Sequence, residues 1–166
     1  MTKEGVTALL VVLRKEHRMK NISVVRLEMV KDRTISYGKK QVTGPAELAE
    51  IGYELLGKSD KEIFLCVCLN VRNNINAINI VATGSSTGIT LLPYEVFKVP
   101  VISNSVSIAL LHNHTSGNPA PSNEDIRITE KLIEAGKVLG IAVVDHVIVG
   151  DGEYYSFTEN DVCNFV

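Results

Sequence analysis

The sequence predicts a layered α/β or α+β domain, a mixed β-sheet with helices packed on its faces. Patterns of strand and helix period follow one another in the order hairpin, helix, hairpin, helix, strand, helix, hairpin, an order that layers helices on a sheet. The 166 residues suit one domain with a real core. A hydrophobic share of 45% with 22% charged residues is that of a globular chain. No repeat, low-complexity stretch or interdomain linker breaks the chain.

Residues 6–18 are a short apolar segment followed by charge, compatible with a helix. Residues 22–30, ISVVRLEMV, are β-branched and partly alternating and predict a strand; Lys31-Asp32 turns it into a second strand over 34–37, ended by Gly38. A helix starts at Pro45, where proline gives up no needed hydrogen bond. Leu48, Ile51, Leu55 and Leu56 form its stripe, and Gly57 is placed to cap it. Residues 63–69 and 77–82 make a hairpin around an Asn-rich turn, and 83–88 form a loop. Pro93 opens a helix with Val96, Phe97 and Val101 as its apolar side, and Pro100 should kink or end it. A strand runs into His112, and a helix from Asn123 to Leu139 buries Ile126, Leu132, Ile133 and Leu139. Gly140 stops it, and strands over 141–149 and 153–157 close the chain.

The net charge of −2 hides an asymmetry. Residues 1–40 carry ten Lys or Arg against four Asp or Glu, and residues 41–166 carry seven against fifteen. A basic arm of this kind is either a solvated segment or a contact for nucleic acid or an acidic partner. The chain thus divides into a basic segment, 1–42, with a β-hairpin, and a domain, 43–166. Cys66 and Cys68 share one face of an apolar strand and Cys163 stands alone, which argues for buried thiols and against a disulfide framework. Residues 6–13 are too short to span a membrane and lead into charge with no cleavage signal. The expectation is a cytoplasmic protein with no membrane partner.

The chemistry concentrates in residues 106–126. An apolar strand ends in His112-Asn113-His114, and residues two apart on a strand point the same way. A Gly- and Pro-rich loop then delivers Asp125 from the first turn of a helix. Two imidazoles and a carboxylate suit a catalytic zinc (Zn2+) with a fourth position left for water. Ser122-x-x-Asp125 is equally the pattern of a helix capping box, and both roles can hold together. Asp145-His146 interrupts an apolar strand, where a polar pair needs partners. Either residue can orient a ligand imidazole or be structural. There is no P-loop, no strand-linked G-x-G-x-x-G and no zinc-deaminase H-x-E with P-C-x-x-C. The letters HNH do not make an HNH endonuclease, whose site residues are dispersed.

His112-x-His114 followed after seven residues by Ser122-x-x-Asp125 matches the JAMM (MPN+) metalloprotease motif. HNHTSGNPAPSNEDIRIT and LGIAVVDHVIVGDGEYYSF resemble the RadC branch of that superfamily, with patterns HNHPSGxPxPSxxDxxxT and LGIxxLDHxIxGxGxxxSF. The resemblance covers residues 43–160. It implies a cytidine-deaminase-like α/β fold of the JAB/MPN type, a mixed sheet sandwiched between helices. It implies zinc ligands at His112, His114 and Asp125, a catalytic base at Glu62, and Ser122 beside the bound water or tetrahedral intermediate. Thr115 stands where the family has proline, and Pro100 falls in a helix that usually lacks one. The helix-hairpin-helix module that precedes the domain in full-length RadC proteins is replaced by about forty residues without that motif, which implies a short form. The expected function is a zinc metallopeptidase acting on a peptide or isopeptide bond of a protein substrate. The rivals are a DNA-repair-associated protein that reaches DNA through residues 1–40, and a scaffold whose metal site is structural or empty.

Overall fold

The computed structural model describes residues 21–35, 38, 41–57, 59–84 and 91–165. In them the chain forms α1 (Pro45–Leu56), β1 (Ile63–Leu69), β2 (Ile75–Thr83), α2 (Pro93–Ile102), β3 (Ser107–Asn113), α3 (Asn123–Leu139), β4 (Ala142–Val149) and β5 (Tyr154–Ser156). The sheet order is β2-β1-β3-β4-β5. All neighbours are antiparallel except β3 and β4, which run parallel with α3 as their crossover. This is the mixed α/β sheet between helices that the sequence predicts.

Strand alternation sorts the core into two layers. Leu65, Val67, Leu69, Ala109, Leu111, Val147 and Val149 pack under Leu48, Ile51 and Leu56 of α1. Phe64, Cys66, Cys68, Ile108, Leu110 and Val143 pack against Val96 and Phe97 of α2 and Leu132 and Ile133 of α3. Central strands flanked on both faces read as unbroken apolar runs, as in the fully buried β3. Cys66 and Cys68 are buried thiols within the second layer.

Several expectations need correction. Residues 22–30 form no strand: residues 21–34 are exposed and without regular structure, with Ile22 89% and Val24 98% accessible. Alternation supplies two faces but no partner, and an isolated two-stranded ribbon is marginal in water. Of the second strand of that hairpin, Thr34 and Ile35 are likewise irregular, while residues 36 and 37 lie outside the described residues, as do the segment 6–18 and most of the loop 83–88. Leu139 and Val101 sit at helix ends and are 49% and 54% exposed rather than buried. The inner face of α3 is instead Thr129, Leu132, Ile133 and Gly136, a spacing of three and four. Pro100 ends α2: it occupies the last turn, and its carbonyl is taken up by Ser105 N–H at 3.0 Å. Gly140 stops α3 with φ of 69°, a left-handed cap suited to glycine. Gly57 follows α1 at φ −60°, so it does not serve through left-handed freedom.

Candidate metal centre

The centre lies at the C-terminal end of β3, on the side of the sheet covered by α2 and α3. His112 pairs with Phe64 across β1, and the rings stack with centroids 5.7 Å apart. Extending that antiparallel register by two residues sets Glu62 opposite His114 on the same face. His114 continues the sheet, its N–H donating to the Val149 carbonyl at 3.1 Å. The loop after it turns at Gly117, whose φ of +80° excludes a comfortable side chain; a Cβ there would meet Asp151 Oδ2 at 2.5 Å. The loop thus packs onto the β4–β5 turn, held by Asp151 N–H on the Gly117 carbonyl at 2.9 Å.

Asp125 does both things the sequence allows it. Ser122 caps α3, its Oγ accepting Asp125 N–H at 3.2 Å while Asp125 Oδ2 accepts Ser122 N–H at 2.8 Å. Ser122 Oγ also donates to Oδ2 at 2.6 Å. The same carboxylate faces the histidines, with Oδ1 3.3 Å from His112 Nε2 and Oδ2 3.4 Å from His114 Nε2. Burial pushes the Asp125 carboxyl up, but when the two rings are protonated, hydrogen bonds from His112 and His114, with that from Ser122, outweigh it and hold the group well below the usual carboxylate range.

The hydrogen-bond network accommodates one consistent arrangement of the imidazole protons. The Thr129 hydroxyl donates to the Asp125 carbonyl, which can only accept. With that proton so placed, Thr129 Oγ1 accepts from His146 Nδ1–H, 2.6 Å away. His146 Nε2 is then a lone pair, and His112 Nδ1–H donates to it at 2.8 Å. His112 turns a bare Nε2 into the centre. His114 Nδ1–H donates to the Asn118 carbonyl at 2.8 Å, so its bare Nε2 also faces inward. These two nitrogens are 3.0 Å apart. With both rings neutral the two lone pairs face each other, an arrangement that a shared proton or a metal cation between them would stabilise. In the protonated case, the hydrogen bond to Asp125 raises the His114 pKa, against the opposing effect of burial and with help from the charges of Asp125 and Glu62. Burial above all, and then the His112 charge, push His146 well below the ordinary histidine value, so it serves as a neutral relay.

His112, His114 and Asp125 can together hold a metal ion. The two Nε2 atoms stand 3.0 Å apart, and each lies 3.3–3.4 Å from a different oxygen of the Asp125 carboxylate, spacings comparable to the edges of about 3.3–3.4 Å for tetrahedral ligands ~2.0–2.1 Å from zinc. Glu62, Ser122 and the three candidate ligands line one cleft of about 250 Å³, with Phe64, Leu91 and Ile128 as its apolar wall. Asp145 does not join them. It accepts from Ser156 Oγ, Thr158 N–H and Oγ1, and His146 N–H, tying β4 to the C-terminal segment. His146 is the member of that pair that reaches the centre. Thr129 is not among the sequence-read site residues; its signal is its place one helical turn after Asp125 on the buried face.

A mixed five-stranded α/β sandwich with two histidines and an aspartate converging at the end of its central strand defines a JAB-type domain with a candidate metal centre. The chain belongs to the RadC-like JAB domain family, whose model matches residues 42–162. It is 40% identical over 121 residues to a UPF0758 protein of Methanosarcina barkeri, covering 73% of this chain and 53% of that protein. A UPF0758 protein of Caldanaerobacter subterraneus subsp. tengcongensis is 44% identical over 124 residues, covering 75% and 53%. One of Alkaliphilus oremlandii is 39% identical over 139 residues, covering 84% and 60%. The chain spans about half the length of the curated relatives it matches. Among the described residues, no helix is long and apolar enough to cross a membrane.

Proposed function

We propose that the protein is a zinc-dependent hydrolase of a peptide or isopeptide bond. The observation that carries this reading is the convergence of two bare imidazole nitrogens and a carboxylate on one point, with the Glu62 side chain lining the same cleft. His112, His114 and Asp125 would hold the zinc, which when bound would supply Lewis acidity and bring the pKa of a water down towards neutrality. Glu62 accepts the proton of the attacking water and returns it to the leaving amine. Ser122 lines the cleft with its hydroxyl proton held on Asp125; turned outward, that proton is a donor for the developing oxyanion. The open fourth position and the acid–base group distinguish this arrangement from a closed structural site.

Elemental mass spectrometry of the purified protein tests the centre, beside His114→Ala and Asp125→Ala. Near-stoichiometric zinc, lost in both variants while circular dichroism is unchanged, is the expected result. A screen of peptide and isopeptide substrates then tests the reaction, with Glu62→Gln as the inactive control. No zinc after reconstitution, or wild-type hydrolysis by Glu62→Gln, overturns the mechanism.

A further inference from the structure

Asn113 lies between the two histidines, but alternation sends its side chain to the other side of the strand. It is 6% exposed, and both its oxygen and its nitrogen are engaged. Oδ1 accepts Ile63 N–H at 2.8 Å, and Nδ2 donates to the Lys61 carbonyl at 3.0 Å. These two groups flank Glu62. The Glu62 carbonyl is itself held by Gly84 N–H at 2.7 Å. The backbone on both sides of Glu62 is therefore tied to the strand that carries the histidines. Only a side chain with a donor and an acceptor in one rigid plane closes both bonds at this reach: aspartate lacks the donor, and serine has a single polar atom.

We propose that Asn113 is a positioning residue for Glu62, its carboxamide clamping residues 61–63 so that the Glu62 carboxylate is aimed at the point where His112, His114 and Asp125 converge. The proposal rests on the hydrolase reading, in which Glu62 is the proton acceptor. A carboxylate fixed within a fraction of an ångström is worth far more to proton transfer than one on a loose segment before a strand. Asn113 touches no reacting atom and acts only through the backbone that it holds.

The test uses the full chain loaded with cobalt(II), with acetohydroxamate as the probe and the visible cobalt bands as the readout. A hydroxamate ligates best after losing its proton, and a carboxylate beside the metal receives it. Glu62→Gln is expected to weaken the probe about tenfold, the worth of one hydrogen bond to a charged group. Asn113→Ala is expected to weaken it by a similar factor with cobalt content unchanged. The double variant should bind no more weakly than Glu62→Gln alone, since both changes remove one interaction. Asn113→Asp, which keeps the acceptor and loses the donor, should fall between; it carries the test if Asn113→Ala does not fold. A merely structural Asn113 lowers the melting temperature and leaves the probe affinity at the wild-type value, which overturns the proposal. Loss of affinity in Glu62→Gln with wild-type affinity in both Asn113 variants sinks the clamp alone. Wild-type affinity in Glu62→Gln sinks the role of Glu62 as proton acceptor, and the clamp with it.

Discussion

His146 is buried, with its charged form disfavoured by burial, and one run of protons satisfies it, from His112 into its Nε2 and from its Nδ1 into Thr129. Truncation to His146→Ala removes the acceptor that holds His112 in its metal-facing tautomer. We expect zinc affinity to fall about 10- to 100-fold, the usual effect of losing such a partner, as measured by competition with a chromophoric chelator. Thr129→Val keeps the shape but leaves His146 Nδ1–H unpaired in the core, at a cost of about 1–3 kcal/mol measured by urea denaturation. The two losses should not add, because both variants cut the same chain of hydrogen bonds. The clustering of the candidate ligands was legible: His112 and His114 share a strand face, and Asp125 follows a capping serine, all within fourteen residues. His146 was legible only as a polar interruption. What joins it to His112 is the parallel pairing of β3 with β4, which sets Leu110 beside His146 across a crossover helix. The clamp of Asn113 on residues 61–63 was hidden likewise, because it depends on the β1–β3 register.

At the scale of elements, the start of α3 and the loop before it carry the most consequence. Ser122→Ala removes one cap acceptor from α3 and should cost about 1 kcal/mol of stability in chemical denaturation. Ser122 N–H still donates to Asp125 Oδ2, so zinc stoichiometry should survive. Gly117→Ala places a side chain at positive φ, a penalty of about 1–2 kcal/mol, and drives its Cβ against Asp151. The same loop presents the Asn118 carbonyl to His114. This variant should therefore lose zinc affinity as well as stability, and isothermal titration beside a melting curve separates the two effects. Most helices and strands of the domain were readable from period, proline and glycine, and α3 runs over the expected Asn123–Leu139. The first hairpin strand failed for the reason the others held. Residues 22–30 carry the pattern, but among the described residues no strand or helix takes up their backbone groups or covers their side chains.

For the whole molecule, an ion bound at the candidate centre would act as a ligand of the folded state. At free zinc one hundred times the dissociation constant, the native state gains about 2.7 kcal/mol. At roughly 2–4 °C per kcal/mol for a chain of this size, the melting temperature should rise roughly 5–10 °C, fall back with a chelator, and fail to rise in Asp125→Ala. Differential scanning fluorimetry with and without zinc checks this directly.

The site residues come from positions 62, 112, 114, 125 and 146, spread over β1, β3, β4 and the start of α3 or the loops that adjoin them. No pair of neighbouring elements contains them all, and the step that unites them is the parallel closure of β4 onto β3, a slow kind of contact because the intervening chain must first be ordered. The candidate ligands are local, within fourteen residues, but His146 joins them only on that closure, so a refolding chain should reach its full affinity for metal late. In a stopped-flow experiment with cobalt present from the start, colour should appear with the slowest folding phase rather than with early helix signal, which makes the ion a clock for the last step of assembly.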